Sequence, residues 1–366
     1  MWLLSILNNI GVATEILGML VFALVLLFFA NNQPVSVIFD TAGAEVPQNG
    51  NLVATFALGL FMSIFILYGF DTAGTFGEET VDATRQAPRG VIFSVLASGV
   101  VGVVFFLAVI LAIPSVPATM EEGLAGGFPI ATIIQANLTT EIAAGITFGE
   151  LYLLVILASV FVCTLAIQGA ATRMMFSMGR DRRLPLGRVW GRVNPTFRTP
   201  ANAAIAVGVL ATLPILVTGP FGGFVLSICA TGLIYLSYFL CNIGVLMARR
   251  HGWPHKPAWF NLGRWGMPVN ILAVVYGGLM IANIALWHDP ALFGDFGTEG
   301  RAYWNPFINS FLKWFGTDLK DLPPLPLYET VVGTLVLFGA IYYAVAVRGR
   351  ATDVEADSAT GEAVIA

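Results

Sequence analysis

A chain of 366 residues that is 57% hydrophobic and only 11% charged is not built like a soluble domain, in which about 25% of residues are charged. Its net charge of −4 decides little, because in a membrane protein the side that collects Lys and Arg is what matters. Three cysteines inside apolar runs (Cys163, Cys229, Cys241) and three scattered histidines (His251, His255, His288) make neither a metal set nor a disulfide framework. There is no phosphate-cradling glycine loop and no Ser/His/Asp arrangement.

A membrane span needs roughly 20 apolar residues to cross about 30 Å of hydrocarbon. Eight runs meet that length, at about 10–30, 52–80, 90–113, 147–174, 201–218, 223–247, 267–287 and 329–347. They are too long and too evenly apolar for barrel strands, so the spans are helices. The fold class expected is an all-α integral membrane protein with 8 transmembrane helices.

The first run has neither a basic leader nor a clear cleavage site, and reads as an uncleaved span. Within it Glu15 is the one acid, and a polar contact between helices is its expected role. Residues 31–50 and 114–146 contain no Lys or Arg, and within the latter "FPIATIIQANL" (128–138) is too short to span; it fits an interfacial or re-entrant helix. Arg85 and Arg89 follow the second run, seven arginines from Arg173 to Arg198 fall at the end of the fourth and before the fifth, and Arg249, Arg250, Lys256 and Arg264 follow the sixth. Arg348 and Arg350 follow the last. If the eight spans alternate, all 18 basic residues except Arg301, Lys313 and Lys320 share one side. By the positive-inside bias that side is cytoplasmic and holds both termini. The same bias explains the Arg-rich stretch without nucleic acid. The tail from 349 to 366 is acidic and rich in small residues, a composition expected to be disordered.

The second run carries the least span-like stretch, "YGFDTAGTFGEET" (68–80). It falls near mid-bilayer, where Gly69, Gly74 and Gly77 weaken a helix. An acid facing lipid there costs about 2.5–3.5 kcal/mol on insertion scales, so Asp71 should face protein or water. A helix broken at the midplane offers carbonyls from one half and N–H groups from the other, the device by which transporters hold charged solutes. The plainer alternative is a glycine kink that lets helices pack, with Asp71 in a structural hydrogen bond. Glu78 and Glu79 are either a solvated interfacial pair or half of a gate that closes on arginines.

At "GFDTAGTFGEETVDATRQAPRGVI" the chain resembles the sixth helix and following loop of the amino acid–polyamine–organocation superfamily. Gly69, Phe70, Asp71, Glu78, Glu79, Arg85 and Pro88 match, and Ala83 replaces a usual proline. A second stretch, "RMMFSMGRDRRLPLGRVWGRVNPTFRTPANA" (173–203), is similar to the loop after the eighth helix. Arg180, Asp181, Leu184, Pro185, Thr199, Pro200 and Ala203 match there, with Arg182 in place of the usual glycine. The start, "NNIGVATEILG" (8–18), looks like the beginning of the fifth helix.

The resemblance implies a partial leucine-transporter-like fold comprising helices five to twelve of a 12-helix permease. Residues 1–30 would close the first repeat, 51–248 would form a complete second five-helix repeat broken at 68–75, and 267–348 would be two accessory helices. It implies a plasma-membrane permease that moves an amino acid or related amine by alternating access, with no enzymatic step and no cofactor. Coupling would be to protons or sodium, or by exchange; the lysine that couples protons in some relatives has no counterpart, since residues 1–30 contain no Lys. Gly69, Phe70, Asp71, Thr72, Ala73, Gly74 and Thr75 would bind substrate, with Phe70 as an aromatic lid. Glu78, Glu79, Arg85, Arg180 and Asp181 would make cytoplasmic or gating contacts. Helices one to four of the family have no counterpart here, so the expectation is a truncated permease. The rival is a non-transporting membrane fragment or scaffold that needs a partner polypeptide to supply the missing repeat.

Overall fold

The computed structural model describes residues 2–43, 50–77, 80–124, 128–143, 145–196, 198–253, 259–286 and 326–348. In chain order the elements are α1 (Trp2–Phe29), α2 (Leu52–Ile66), the one-turn α3 (Thr72–Thr75), α4 (Ala83–Leu111), α5 (Val116–Leu124) and α6 (Pro129–Asn137). A small antiparallel hairpin of β1 (Glu141–Ala143) and β2 (Ile146–Thr147) leads into α7 (Phe148–Arg180) and the one-turn α8 (Gly187–Trp190). Then come α9 (Ala201–Arg250), α10 (Gly266–Leu286) and α11 (Leu327–Tyr342), which runs on as a π turn over Tyr343–Val347. Among the described residues six helical stretches are long and apolar enough to cross a bilayer: Gly11–Phe29, Ala83–Leu111, Phe148–Arg180, Cys229–Arg250, Gly263–Leu286 and Tyr328–Val347.

Three of the eight expected spans look different here. The run 52–80 becomes the 15-residue α2 followed by α3, because the helix ends in the glycine-rich stretch. The runs 201–218 and 223–247 lie in one 50-residue helix, α9, about 75 Å long at 1.5 Å per residue. The glycines and prolines between them do not interrupt it. The expected tail at 349–366 lies outside the described residues.

The chain forms two compact units, Met1–Val46 with Gly69–Ala170, and Pro47–Tyr68 with Ala171–Ala366. In the first, α1 packs along α4. Its core joins Phe22 and Leu26 of α1, Phe105 and Ala108 of α4, Ile133 and Ile134 of α6, and Tyr152 of α7. The Tyr152 ring lies 4.0 Å from Phe22. The segment 128–138, too short to span, forms α6 and covers the end of α4. There the last carbonyls of α4 have no partners within their own helix. Asn32 and Gln33 donate their amide N–H groups to the Leu111 carbonyl at 2.9 and 3.0 Å. Their side chains reach the carbonyls of Ala112 and Ile113, each at 2.9 Å, and Asn137 of α6 adds a bond to Ala112 at 2.8 Å. On α1, Gly11 and Gly18 lie on the same face as Glu15, and both approach α7, at Val162 and Val155.

In the second unit α10 lies along α9, and α2 and α11 pack against both. Its core is Ile64 of α2, Tyr235 of α9, Met280 and Ile284 of α10, and Tyr328 of α11. Polar groups tie the helices together at buried and part-buried points. The Asn283 side chain donates to the Ala57 carbonyl at 2.8 Å, and the Tyr328 hydroxyl donates to the Gly232 carbonyl at 3.3 Å.

Candidate functional site

The chain leaves the α2 helix at Leu67, whose N–H still bonds to the Ser63 carbonyl at 3.1 Å. The Ile64 carbonyl, one of those orphaned at the helix end, accepts from the Tyr235 hydroxyl at 3.5 Å. Gly69 then adopts φ +85°, a conformation that is ordinary for glycine and costs other residues about 1–2 kcal/mol. Asp71 opens α3 as its N-cap, and its main-chain carbonyl accepts from the N–H groups of Gly74 and Thr75 at 2.8 and 3.1 Å. The Thr75 hydroxyl reaches the same carbonyl at 3.4 Å. The backbone of 67–71 is therefore non-helical between an apolar helix and a single polar turn.

Of the seven residues assigned to substrate binding, Gly69, Phe70, Thr72, Ala73 and Thr75 are half-buried, while Asp71 and Gly74 are exposed. All seven lie within this short segment of one unit. α3 sits against α4, and the approach is close: a β-carbon on Gly90 would lie 3.2 Å from that of Ala73. The sequence offers no sign of that contact beyond a glycine in the first turns of α4.

The residues expected to make gating or cytoplasmic contacts fall in both units. Arg85 faces Asp82 at 3.9 Å, one turn back on an exposed surface, a pair worth about 0–1 kcal/mol. Arg180 and Asp181 pair with each other at 3.3 Å, both half-exposed, and the Arg180 guanidinium also lies 5.9 Å from the Phe176 ring. Glu78 and Glu79, the other half of the expected gate, lie outside the described residues.

The second quoted stretch forms a tight turn after α7. The backbone crosses itself where Gly179 meets Gly191; a β-carbon on Gly179 would lie 2.9 Å from the Gly191 nitrogen. The Trp190 indole donates to the Pro185 carbonyl at 2.8 Å, and the Arg183 N–H to the Met178 carbonyl at 2.8 Å. Arg182, Leu186 and Arg198 all take left-handed φ, at 54°, 57° and 51°. Arg182 is the position where the quoted pattern has glycine, and the left-handed backbone explains why glycine suits it. Among the described residues no cluster of His, Cys, Asp or Glu could hold a metal ion.

A family model described as amino acid permease matches residues 2–314. The chain is 32% identical over 228 residues to the amino-acid permease BAT1 homolog of Oryza sativa subsp. japonica, covering 60% of this chain and 42% of that protein. It is 28% identical over 283 residues to the amino-acid permease BAT1 of Arabidopsis thaliana, covering 75% and 53%. It is 24% identical over 242 residues to the polyamine transporter TPO5 of Saccharomyces cerevisiae, covering 63% and 37%. The chain thus spans about half, or less, of the length of these curated relatives.

Proposed function

This chain belongs to the amino acid permease family, and from that premise we propose that it carries the substrate-binding break of a secondary transporter for amino acids or related amines. The chain is a multi-pass membrane protein whose family and relatives are named as permeases and transporters rather than enzymes. The observation that carries the proposal is the interrupted helix at 67–71, with Gly69 at φ +85° and Asp71 heading the next turn. Backbone that is not helical is tolerated at membrane depth only where it is buried in protein or lines a water-filled cavity. Transporters place such breaks at the substrate.

In this reading the main chain of Gly69 to Thr75 binds the substrate's ammonium group. Phe70 covers the substrate, and Asp71 holds the unwound segment in shape. Alternating access around the break would carry substrate across the plasma membrane, with both termini on the cytoplasmic side. Saturable uptake of a labelled amino acid or polyamine into vesicles carrying the chain tests it. Phe70→Ala and Asp71→Asn should abolish that uptake while leaving the protein in the membrane. No saturable uptake, by the chain alone or co-expressed with the N-terminal helices of a relative, would sink the proposal and favour a non-transporting scaffold.

A further inference from the structure

The turn after α7 meets the last turn of α11 around a cavity of about 400 Å³. Arg182 and Arg188, with Leu184 and Leu186 between them, line one wall; Tyr342 and Ala346 line the other. The volume lies in the range of small-molecule sites, about 300–1,000 Å³. The lining includes two guanidinium groups and no carboxylate. Among the described residues neither arginine makes an ion pair.

Three further observations point to an occupant. The cavity sits at a membrane face, because Arg182 follows the end of α7 by two residues and Ala346 lies in the last turn of the span Tyr328–Val347. Leu184, Leu186 and Ala346 give its lining apolar side chains beside the arginines, and Tyr342 is the kind of amphipathic ring that favours the interface. Finally, the wall is built at a cost. Arg182 and Leu186 are held at left-handed φ, and the Trp190 and Gly179–Gly191 contacts fix them there. Strain of that kind, maintained by its surroundings, is characteristic of ligand sites.

We propose that this cavity binds the phosphate-bearing headgroup of an anionic phospholipid. The two guanidinium groups would take the phosphate, for which their forked donors are suited, and the leucine and alanine walls would take the glycerol and the first methylenes of the chains. Basic pockets between spans on the cytoplasmic side bind such headgroups elsewhere. A free phosphate ion shares the guanidinium chemistry but would make no use of the apolar walls.

The test is native mass spectrometry on the full chain, purified in detergent and titrated separately with dioctanoyl phosphatidylglycerol, dioctanoyl phosphatidylcholine and inorganic phosphate. Phosphatidylglycerol should form a discrete adduct, and the double variant Arg182→Gly, Arg188→Gln should weaken it at least tenfold. Arg182→Gly suits the left-handed backbone, so the variant should fold. Ala346→Phe, which fills the cavity from the opposite wall without changing charge, should weaken the adduct as well. Undiminished phosphatidylglycerol binding in either folded variant would overturn the proposal. So would equal retention of phosphatidylcholine, or displacement of the lipid by inorganic phosphate at equal concentration. None of these outcomes depends on transport, so failure here is separable from failure of the permease reading.

Discussion

Two backbone positions set the limits on substitution at single residues. A β-carbon on Gly69 would meet nothing within 4 Å, yet its φ is +85°, so the constraint is conformational rather than steric. Gly69→Ala should therefore lower stability by about 1–2 kcal/mol, read as a fall in Tm of the purified protein, although the site has room for a methyl group. Arg182 is the converse case, a large residue held at φ 54°. Arg182→Gly should raise stability in lipid-free detergent by about 0.5–1 kcal/mol, since relief of strain exceeds the greater unfolded-state entropy of glycine. Added phosphatidylglycerol should then shift the Tm of Arg182→Gly less than that of the wild type. Gly69 is legible in the sequence because a glycine two residues before an acid inside an apolar run is conspicuous. The strain at Arg182 and Leu186 is not, because neither residue type signals a left-handed backbone.

Helix ends are where the elements depend on distant residues. The carbonyls of Leu111, Ala112 and Ile113 at the end of α4 are satisfied by Asn32, Gln33 and Asn137. Asn32 and Asn137 also bond to each other at 2.8 Å across 105 residues of sequence. Asn137→Ala should cost about 1–3 kcal/mol by leaving partly buried acceptors and the Asn32 side chain short of partners. Its first sign should be faster proteolysis in the α5–α6 segment, since α6 loses its tie to α4. Hydropathy reveals the spans because each is a local run of apolar residues. It is blind to this cap, in which the side chains of Asn32 and Gln33 stand 80 residues from the carbonyls they serve and that of Asn137 stands 25. The same holds for the support of α2, where Tyr235 and Asn283 reach back 171 and 226 residues to the carbonyls of Ile64 and Ala57. A tyrosine and an asparagine inside apolar runs are the faint signal available, and only the packing says which carbonyl each serves.

For the whole molecule, charge and length together decide the path of α9. At about 75 Å it is more than twice the hydrocarbon thickness of about 30 Å. The seven arginines from Arg173 to Arg198 precede it, and Arg249, Arg250, Lys256 and Arg264 end or follow it. If the positive-inside bias holds for this chain, both groups are cytoplasmic and the number of crossings between them is even; one crossing would put four basic residues outside. Two crossings of about 20 residues fit the helix, with Cys229–Arg250 as the second and Ala201–Leu213 as the apolar core of the first. The place to reverse direction is the stretch "PILVTGPFGG" (214–223). Its two prolines each forgo a helical hydrogen bond at about 3 kcal/mol, and its three glycines are the weakest helix formers after proline. On that premise the helix, continuous through 214–223 in this structure, should turn there at the outer face in the bilayer. A cysteine replacing Thr218, in a chain whose Cys163, Cys229 and Cys241 are changed to serine, should react with a membrane-impermeant maleimide added outside intact cells. A cysteine replacing Thr196 should react only after the membrane is permeabilised. Protection of position 218 from outside, with position 196 labelled from inside, would mean that α9 crosses once and that the charge asymmetry does not set the topology of this chain.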